Sequence, residues 1–306
     1  MMKIVFMGTP LFAQVILKAL IQKHEVIVVI TQPDQLVGRK KTITPSPVKR
    51  FALENNIPVF QPINLSQAYE TILALDADIY ITAAYGQFVP SVMLKHKPSI
   101  NVHGSLLPSY RGGAPIQYAI KDGLVETGVT IMHMVKRMDA GNIISQHVLP
   151  ISPEDTYTTL SQKMSELGAK ALLEVLDTYG TQLPEGRLQD ESKVSFAYTL
   201  KREDERLSLQ DTVQAFLNKM KSLLEEPVGH INVNGQPIKV YDAKKSDIIK
   251  TAAMGTVIRC HKQLTIQLID GAVDILVLQA PGKKKLNIKD FLNGQKIFTE
   301  GMTIKE

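Results

Sequence analysis

The stretch IVFMGTPLFAQVILKALIQKHEVIVVIT, residues 4–31, decides the fold. It reads as a short β-branched strand over 4–7, a helix-like segment over 12–22 and a second strand over 26–31. Val26-Ile27-Val28-Val29-Ile30 is apolar without alternation, as a strand covered on both faces of a parallel sheet should be. The same rhythm continues, with strands expected at 59–60, 79–83 and 100–103 and helices at 48–55 and 65–75. Repeated βαβ units imply an α/β fold, a doubly wound and mostly parallel sheet.

A strand pair near 127–133 and 142–149 precedes a long amphipathic helix over 156–179, so the first domain is expected to span residues 1–189. Beyond Gly180 periodicity fades and Gly, Pro and charge gather; residues 190–207 read as a linker laid over the surface. Ser208-Leu209-Gln210-Asp211 reads as a capping box opening a helix to residue 221. Short alternating strands follow, with turn signals at Asn234-Gly235 and Asp270-Gly271. They predict a smaller C-terminal β-barrel over 208–306.

Composition bounds the function classes. The 306 residues are 44% hydrophobic and 21% charged, enough to bury a substantial core and unlike a disordered chain. Cys260 is the only cysteine, which excludes an internal disulfide and a thiolate metal cage and points to a reducing, cytoplasmic setting. No apolar run is long enough to span a bilayer, so no membrane partner is expected. From Ser208 onward there are 14 Lys and Arg against 10 Asp and Glu, most of the net charge of +5, a weak signal that fits contact with a nucleic-acid backbone.

The turn Phe6-Met7-Gly8-Thr9-Pro10 lacks the G-x-G-x-x-G spacing of a dinucleotide site, so Gly8 reads as an enabler of a tight strand-to-helix turn. The strongest local signal is Ile100-Asn101-Val102-His103-Gly104-Ser105-Leu106-Leu107-Pro108. Asn101 and His103 leave the same face of a strand near its carboxyl end, where open α/β sheets bind ligands. An amide and an imidazolium can hold the oxyanion of a tetrahedral intermediate, at about 2.7–4 kcal/mol per donor in other enzymes. A histidine merely satisfied by backbone at a strand end is the other reading, and both stand on these two residues alone. Asp139, in a turn between two strands, could favour a protonated imidazole or take a proton from an attacking amine if it lay beside His103. Residues 36–50 (LVGRKKTITPSPVKR) carry Arg39, Lys40, Lys41, Lys49 and Arg50 without an acid, in a connection longer than the usual βα loop of about 2–6 residues. Such a loop could grip phosphates. No metal site, H-E-x-x-H or G-x-S-x-G motif competes.

These residues sit within a longer pattern: SLLPSYRGGAPIQYAI over 105–120, FMGTP over 6–10, TQPD over 31–34, VGRKKTITPSPVK over 37–49, AAYGQFVP over 83–90, MDAGNII from Met138 and QDES from Gln189. In order and spacing the chain resembles the methionyl-tRNA formyltransferase family. That resemblance implies a formyltransferase domain, a linker and a C-terminal OB-like barrel. It implies transfer of the formyl group of 10-formyltetrahydrofolate to methionine on initiator methionyl-tRNA, without a metal, by a cytoplasmic monomer. Asn101, His103 and Asp139 match the catalytic trio. The folate would lie against Phe88, Val89, Ser105, Leu106, Leu107 and Pro108, with its pterin at the loop around 135–140. Arg39, Lys40 and Lys41 match the loop that wedges toward the tRNA acceptor end. The chain departs from the family pattern at Leu11, usually Asp, and at Leu224-Glu225-Glu226-Pro227, where a tryptophan is usual. Glycinamide ribonucleotide and sugar-nucleotide formyltransferases would share the trio without the basic insertion and barrel. A non-catalytic RNA-binding protein would leave the trio unexplained.

Overall fold

Ile4, Val5, Phe6 and Met7 are fully buried because their strand runs inside a sheet covered on both faces. The computed structural model describes residues 1–37, 42–249 and 252–305; Arg39, Lys40 and Lys41 lie outside the described residues. The chain divides into two compact units. One comprises Met1–Pro115, Glu126–Pro150 and Ser161–Thr199, the other Ile116–Val125, Ile151–Leu160 and Leu200–Glu306.

In chain order the elements begin β1 (Lys3–Gly8), α1 (Leu11–Leu20), β2 (Glu25–Ile30), β3 (Gln35–Val37), β4 (Thr42–Thr44), α2 (Pro47–Glu54), β5 (Val59–Phe60) and α3 (Tyr69–Leu73). They continue β6 (Ile79–Ala83), α4 (Ser91–His96), β7 (Ser99–His103), α5 (Pro115–Lys121), β8 (Glu126–His133), β9 (Ile143–Pro150) and α6 (Tyr157–Tyr179). The first unit is built on a seven-stranded sheet of order β5-β2-β1-β6-β7-β8-β9. The pairs from β5 to β7 are parallel, and β8 and β9 extend the sheet antiparallel. This is the doubly wound, mostly parallel architecture that the sequence rhythm predicts.

Alternation along β1 sorts its side chains between two layers. Val5 and Met7 join Val28, Ile30, Leu65, Ile72, Tyr80 and Met93 in one cluster. On the other face Gly8 meets α1 so closely that an added Cβ would lie 2.6 Å from the Ala13 Cβ and 2.9 Å from the Ala83 carbonyl oxygen. Gly8 is therefore a packing glycine, as the missing dinucleotide spacing suggested. The expected helix over 65–75 is broken. A 3-10 turn, Leu65–Gln67, is capped by the Asn64 side chain accepting from the Ser66 N–H, and Ala68 at φ −131° leaves helical geometry before α3 starts.

The second unit contains α7 (Val213–Ser222), β10 (His230–Val233), β11 (Gln236–Lys245), β12 (Val257–Cys260), β13 (Leu264–Gln267), β14 (Ala272–Gln279), β15 (Leu286–Asn287) and α8 (Ile288–Gly294). Its antiparallel sheet runs β10-β11-β14-β13-β12, with β15 also paired to β14. Register shifts between β11 and β14 bend the sheet into a half-barrel around Phe216, Ile231, Val240, Ile266, Ile275, Leu278 and Phe291. The expected turn at Asn234-Gly235 is present, both residues at positive φ, as a tight hairpin between β10 and β11 requires. Ser208 does not open α7. Its hydroxyl accepts from the Gln210 N–H in a turn, while Thr212 caps the helix by accepting from the Ala215 N–H and Asp270 accepts from the Val213 N–H at 2.8 Å. Propensity offered several capping residues, and the helix starts where Asp270 can satisfy a second orphan N–H.

Gly8→Ala should lower unfolding free energy by about 1–3 kcal/mol, the usual cost of overpacking a close-packed interior. Urea titration followed by circular dichroism measures this, and a midpoint equal to wild type would contradict the packing role of Gly8.

Candidate active site

Strand β7 ends at the carboxyl edge of the parallel strands, and its last residues bring the two polar side chains to one place. Asn101 stands in register with Thr82 of β6, and its Oδ1 accepts from the Thr82 hydroxyl at 2.8 Å. The amide orientation follows from Asp139, whose carboxylate only accepts and so takes the NH2 side, leaving the oxygen for the Thr82 hydroxyl. Asn101 Nδ2 then faces Asp139 Oδ1 at 3.5 Å.

His103 is 5% exposed, and its Nε2 lies 2.9 Å from the Tyr110 carbonyl oxygen. A carbonyl only accepts, so Nε2 carries the hydrogen and Nδ1 is the edge left for chemistry. Nδ1 sits 3.7 Å from Asp139 Oδ2. Sequence spacing alone could not place this carboxylate beside the histidine, and the structure does so. Tyr110 serves as the orienting group that neither composition nor motif identified.

Asp139 adopts a left-handed conformation at φ +47°. Its Oδ2 accepts from the Gly112 N–H at 2.8 Å. Gly112 has φ +125°, and a Cβ there would lie 2.4 Å from the Ala197 carbonyl oxygen. Gly112 is needed both for its backbone angle and for this close approach. The approaching chain belongs to the stretch read as a surface linker: the Arg111 N–H donates to the Ser195 carbonyl at 2.9 Å, the Ala197 N–H to the Arg111 carbonyl at 2.8 Å and the Tyr110 N–H to the Ser195 hydroxyl at 2.9 Å. Residues 195–197 thus brace the loop that orients His103 and Asp139. The Gly112-Gly113 pair was the available signal of a close approach, but nothing in the spacing names its partner.

The loop after β7 is internally bonded. Ser105 is buried, its hydroxyl donating to the Ser109 carbonyl at 2.6 Å and its carbonyl accepting from Thr130 at 2.7 Å. Leu107 is also buried, in a small cluster with Met132 and Ile143, and its carbonyl accepts from Gln146 at 2.8 Å. Leu106 and Pro108 are half-buried. Val89 packs against the apolar cluster below β1, whereas Phe88 is 70% exposed in the loop after β6. Ser105 and Leu107 therefore shape the loop, and the side chains it leaves accessible are Leu106 and Pro108.

Tyr85, in the same loop as Phe88, is buried, and its hydroxyl has no partner among the described residues. Burial pushes this phenol up to about 12. In the basic stretch, Lys49 donates to Asp34 at 2.7 Å, Gln61 bonds the other Asp34 oxygen at 2.8 Å, and the Lys49 bond is the main reason the Asp34 carboxyl sits below its ordinary range. On the hairpin between them, Leu36 of β3 pairs with Ile43 of β4 and both are exposed. Among the described residues no group of three or more His, Cys, Asp or Glu could hold a metal ion, and no helix is long and apolar enough to cross a membrane.

Comparison with known proteins adds independent observations. Residues 2–176 match the family model described as formyl transferase, and residues 199–296 match that of the formyl transferase C-terminal domain. The chain is 44% identical over 301 residues to the methionyl-tRNA formyltransferase of Lactobacillus johnsonii, covering 96% of each chain. It is 43% identical over 300 residues to that of Staphylococcus aureus, again covering 96% of each. Among solved structures, HypX from Aquifex aeolicus in complex with tetrahydrofolic acid superposes with a TM-score of 0.68 at 18% identity, covering 95% of this chain and 47% of that one. The sugar 3N-formyl transferase WlaRD superposes with a TM-score of 0.67 at 21% identity, covering 93% and 99%. These structural likenesses concern the fold.

Because the Tyr85 hydroxyl is buried without a partner among the described residues, Tyr85→Phe should leave stability unchanged or raise it, by up to about 1–3 kcal/mol. A spectrophotometric difference titration of the two proteins should place the missing ionisation near 12. Clear destabilisation would show that the hydroxyl has a partner.

Proposed function

Since the chain belongs to the methionyl-tRNA formyltransferase family, we propose that Asn101, His103 and Asp139 carry the transfer of a formyl group from 10-formyltetrahydrofolate to the α-amino group of methionine on initiator tRNA. The activity itself, formyl transfer from a folate donor to methionyl-tRNA, follows from family membership. The observation that supports the residue assignment is convergence: Asn101 Nδ2 and His103 Nδ1 both face Asp139, at 3.5 and 3.7 Å, on the edge of the sheet where ligands bind.

The donor set fits a formyl group. Asn101 presents an amide hydrogen on the side facing Asp139, and His103, when protonated at Nδ1 as well as Nε2, presents a second donor, so a carbonyl oxygen placed between them receives two hydrogen bonds that strengthen as it becomes an oxyanion. The attacking amine forms a C–N bond to the formyl carbon, and collapse breaks the bond to the donor nitrogen. Asp139 accepts the proton released by the amine, directly or through water, and that proton ends on the departing folate nitrogen. Asp139 also stabilises His103 when Nδ1 carries a proton. One proton and one formyl group exchange places, and no redox step or metal is needed.

Leu106, Pro108 and the exposed Phe88 offer an apolar surface for the flat folate, with Val89 behind it and Ser105 and Leu107 shaping the loop beneath. Arg39, Lys40 and Lys41 lie in the sequence between β3 and β4, a hairpin anchored at its base by the Asp34–Lys49 pair. In this reading they grip phosphates of the tRNA, and the protein works as a cytoplasmic monomer.

Alanine at Asn101 or His103 should reduce kcat by about 10²–10³-fold, the range for losing one oxyanion donor. Formylation of charged initiator tRNA by the folded variants measures this. Turnover within threefold of wild type would remove the residue from the chemistry. Alanine at Arg39, Lys40 and Lys41 together should instead raise KM for tRNA and flatten its salt dependence by about three charges' worth of slope. An unchanged KM across salt concentrations would count against phosphate contacts there.

A further inference from the structure

Arg111 has a fully buried side chain, although arginine is among the residues least often buried without a paired role. Its guanidinium donates from Nε and Nη2 to Gln189 Oε1 at 3.0 and 2.8 Å, and from Nη2 to Glu191 Oε1 at 2.8 Å. Arg137 reaches the other oxygen of Glu191. Arginine has donors and no acceptor, so the Gln189 amide must turn its oxygen toward Arg111. Its NH2 group is thereby aimed the other way, and both its hydrogens are used: Gln189 Nε2 donates to the Asp139 carbonyl and to the Gly141 carbonyl, each at 2.8 Å.

Those two carbonyls flank Ala140 in the turn that holds Asp139 at φ +47°. The far side of the turn is equally confined, since a Cβ on Gly141 would lie 1.8 Å from the His133 carbonyl oxygen. A left-handed aspartate persists where its surroundings over-determine it. We propose that Gln189, oriented by the buried Arg111 and the Glu191 carboxylate, is a positioning residue for the reaction: it clamps the backbone on both sides of Ala140 and so holds the Asp139 carboxylate against His103 and Asn101. The proposal rests on Asp139 acting in formyl transfer.

The guanidinium belongs to the same tripeptide whose other members touch the catalytic side chains directly. The Tyr110 carbonyl holds His103 and the Gly112 N–H holds Asp139, while Arg111 reaches Asp139 through Gln189. One short loop therefore sets histidine and aspartate together. Glu191 remains ionised below the usual carboxylate range, chiefly through its hydrogen bond from Arg111 and then that from Arg137. The buried cation is thus paired across the working pH range.

The test separates clamping from the mere pairing of Arg111. Gln189→Glu keeps acceptors for the guanidinium but removes both donors to the turn; Gln189→Ala removes both functions and serves if the first variant fails to fold. Each is assayed for thermal unfolding, folate and tRNA KM, and single-turnover formyl transfer, alone and combined with Asp139→Asn. The expected result for Gln189→Glu is a melting temperature close to wild type, both KM values within twofold, and a rate about 10–100-fold lower, the scale of a misplaced catalytic group. In the Asp139→Asn background the same change should cost less than twofold, because there is no longer a carboxylate to position. A folded Gln189→Glu protein, or Gln189→Ala in its place, with wild-type turnover would overturn the clamp. A further full loss in the Asp139→Asn background would also overturn it, by assigning Gln189 a role independent of Asp139. Wild-type turnover in Asp139→Asn alone would overturn the assignment of Asp139 itself, whatever the Gln189 variants do.

Discussion

The site depends on a single aspartate held where aspartate does not rest by preference. A left-handed backbone at a non-glycine residue costs on the order of 1 kcal/mol or more, so Asp139 keeps φ +47° only because other groups fix it. Gly112 supplies an N–H to its carboxylate, and Gln189 supplies two to its turn. Those groups lie far apart in sequence and meet because β7 pairs with β8 and residues 195–197 bond to the loop that follows β7. The remaining geometry follows: once Asp139 is placed, Nδ1 of His103 and Nδ2 of Asn101 have a common neighbour.

The sheet supplies the rigidity this arrangement needs. β7 is flanked by β6 and β8, so neither Asn101 nor His103 stands on an edge strand. The Asp139 carboxylate orients the amide and the Tyr110 carbonyl orients the imidazole, each being a group that only accepts. Side chains proposed for catalysis that stand on a packed strand, oriented by neighbours that are themselves fixed, undergo little reorganisation as charge develops. The C-terminal unit has its own apolar core around Phe216 and Phe291 and leaves Lys283, Lys284 and Lys285 exposed, a surface suited to a polyanion.

Much of this was legible in the residues. The continuous apolar run at 26–30 announced a doubly covered parallel strand, and two polar residues spaced by two at the end of 100–103 marked a candidate site, because both signals are local. Helix starts were less legible. Ser208 and Thr212 are both competent caps, and Asp270, nearly sixty residues away, decides between them. The role of residues 189–197 was hidden for the same reason: a Gly-, Pro- and charge-rich stretch looks like a linker whether or not its backbone pairs with Arg111. Nor could the sequence disclose that Arg111 is buried, since a lone arginine in a glycine-rich loop reads as exposed. The resemblance in SLLPSYRGG and QDES recorded both halves of that contact without saying that they touch.

The most direct test is a crystal structure of the protein with a stable 10-formyl folate analogue. The formyl oxygen should lie about 2.7–3.1 Å from both Asn101 Nδ2 and His103 Nδ1, with the formyl carbon facing an open position beside Asp139. A formyl oxygen turned away from both donors, with Asp139 out of reach of any incoming amine, would contradict the account.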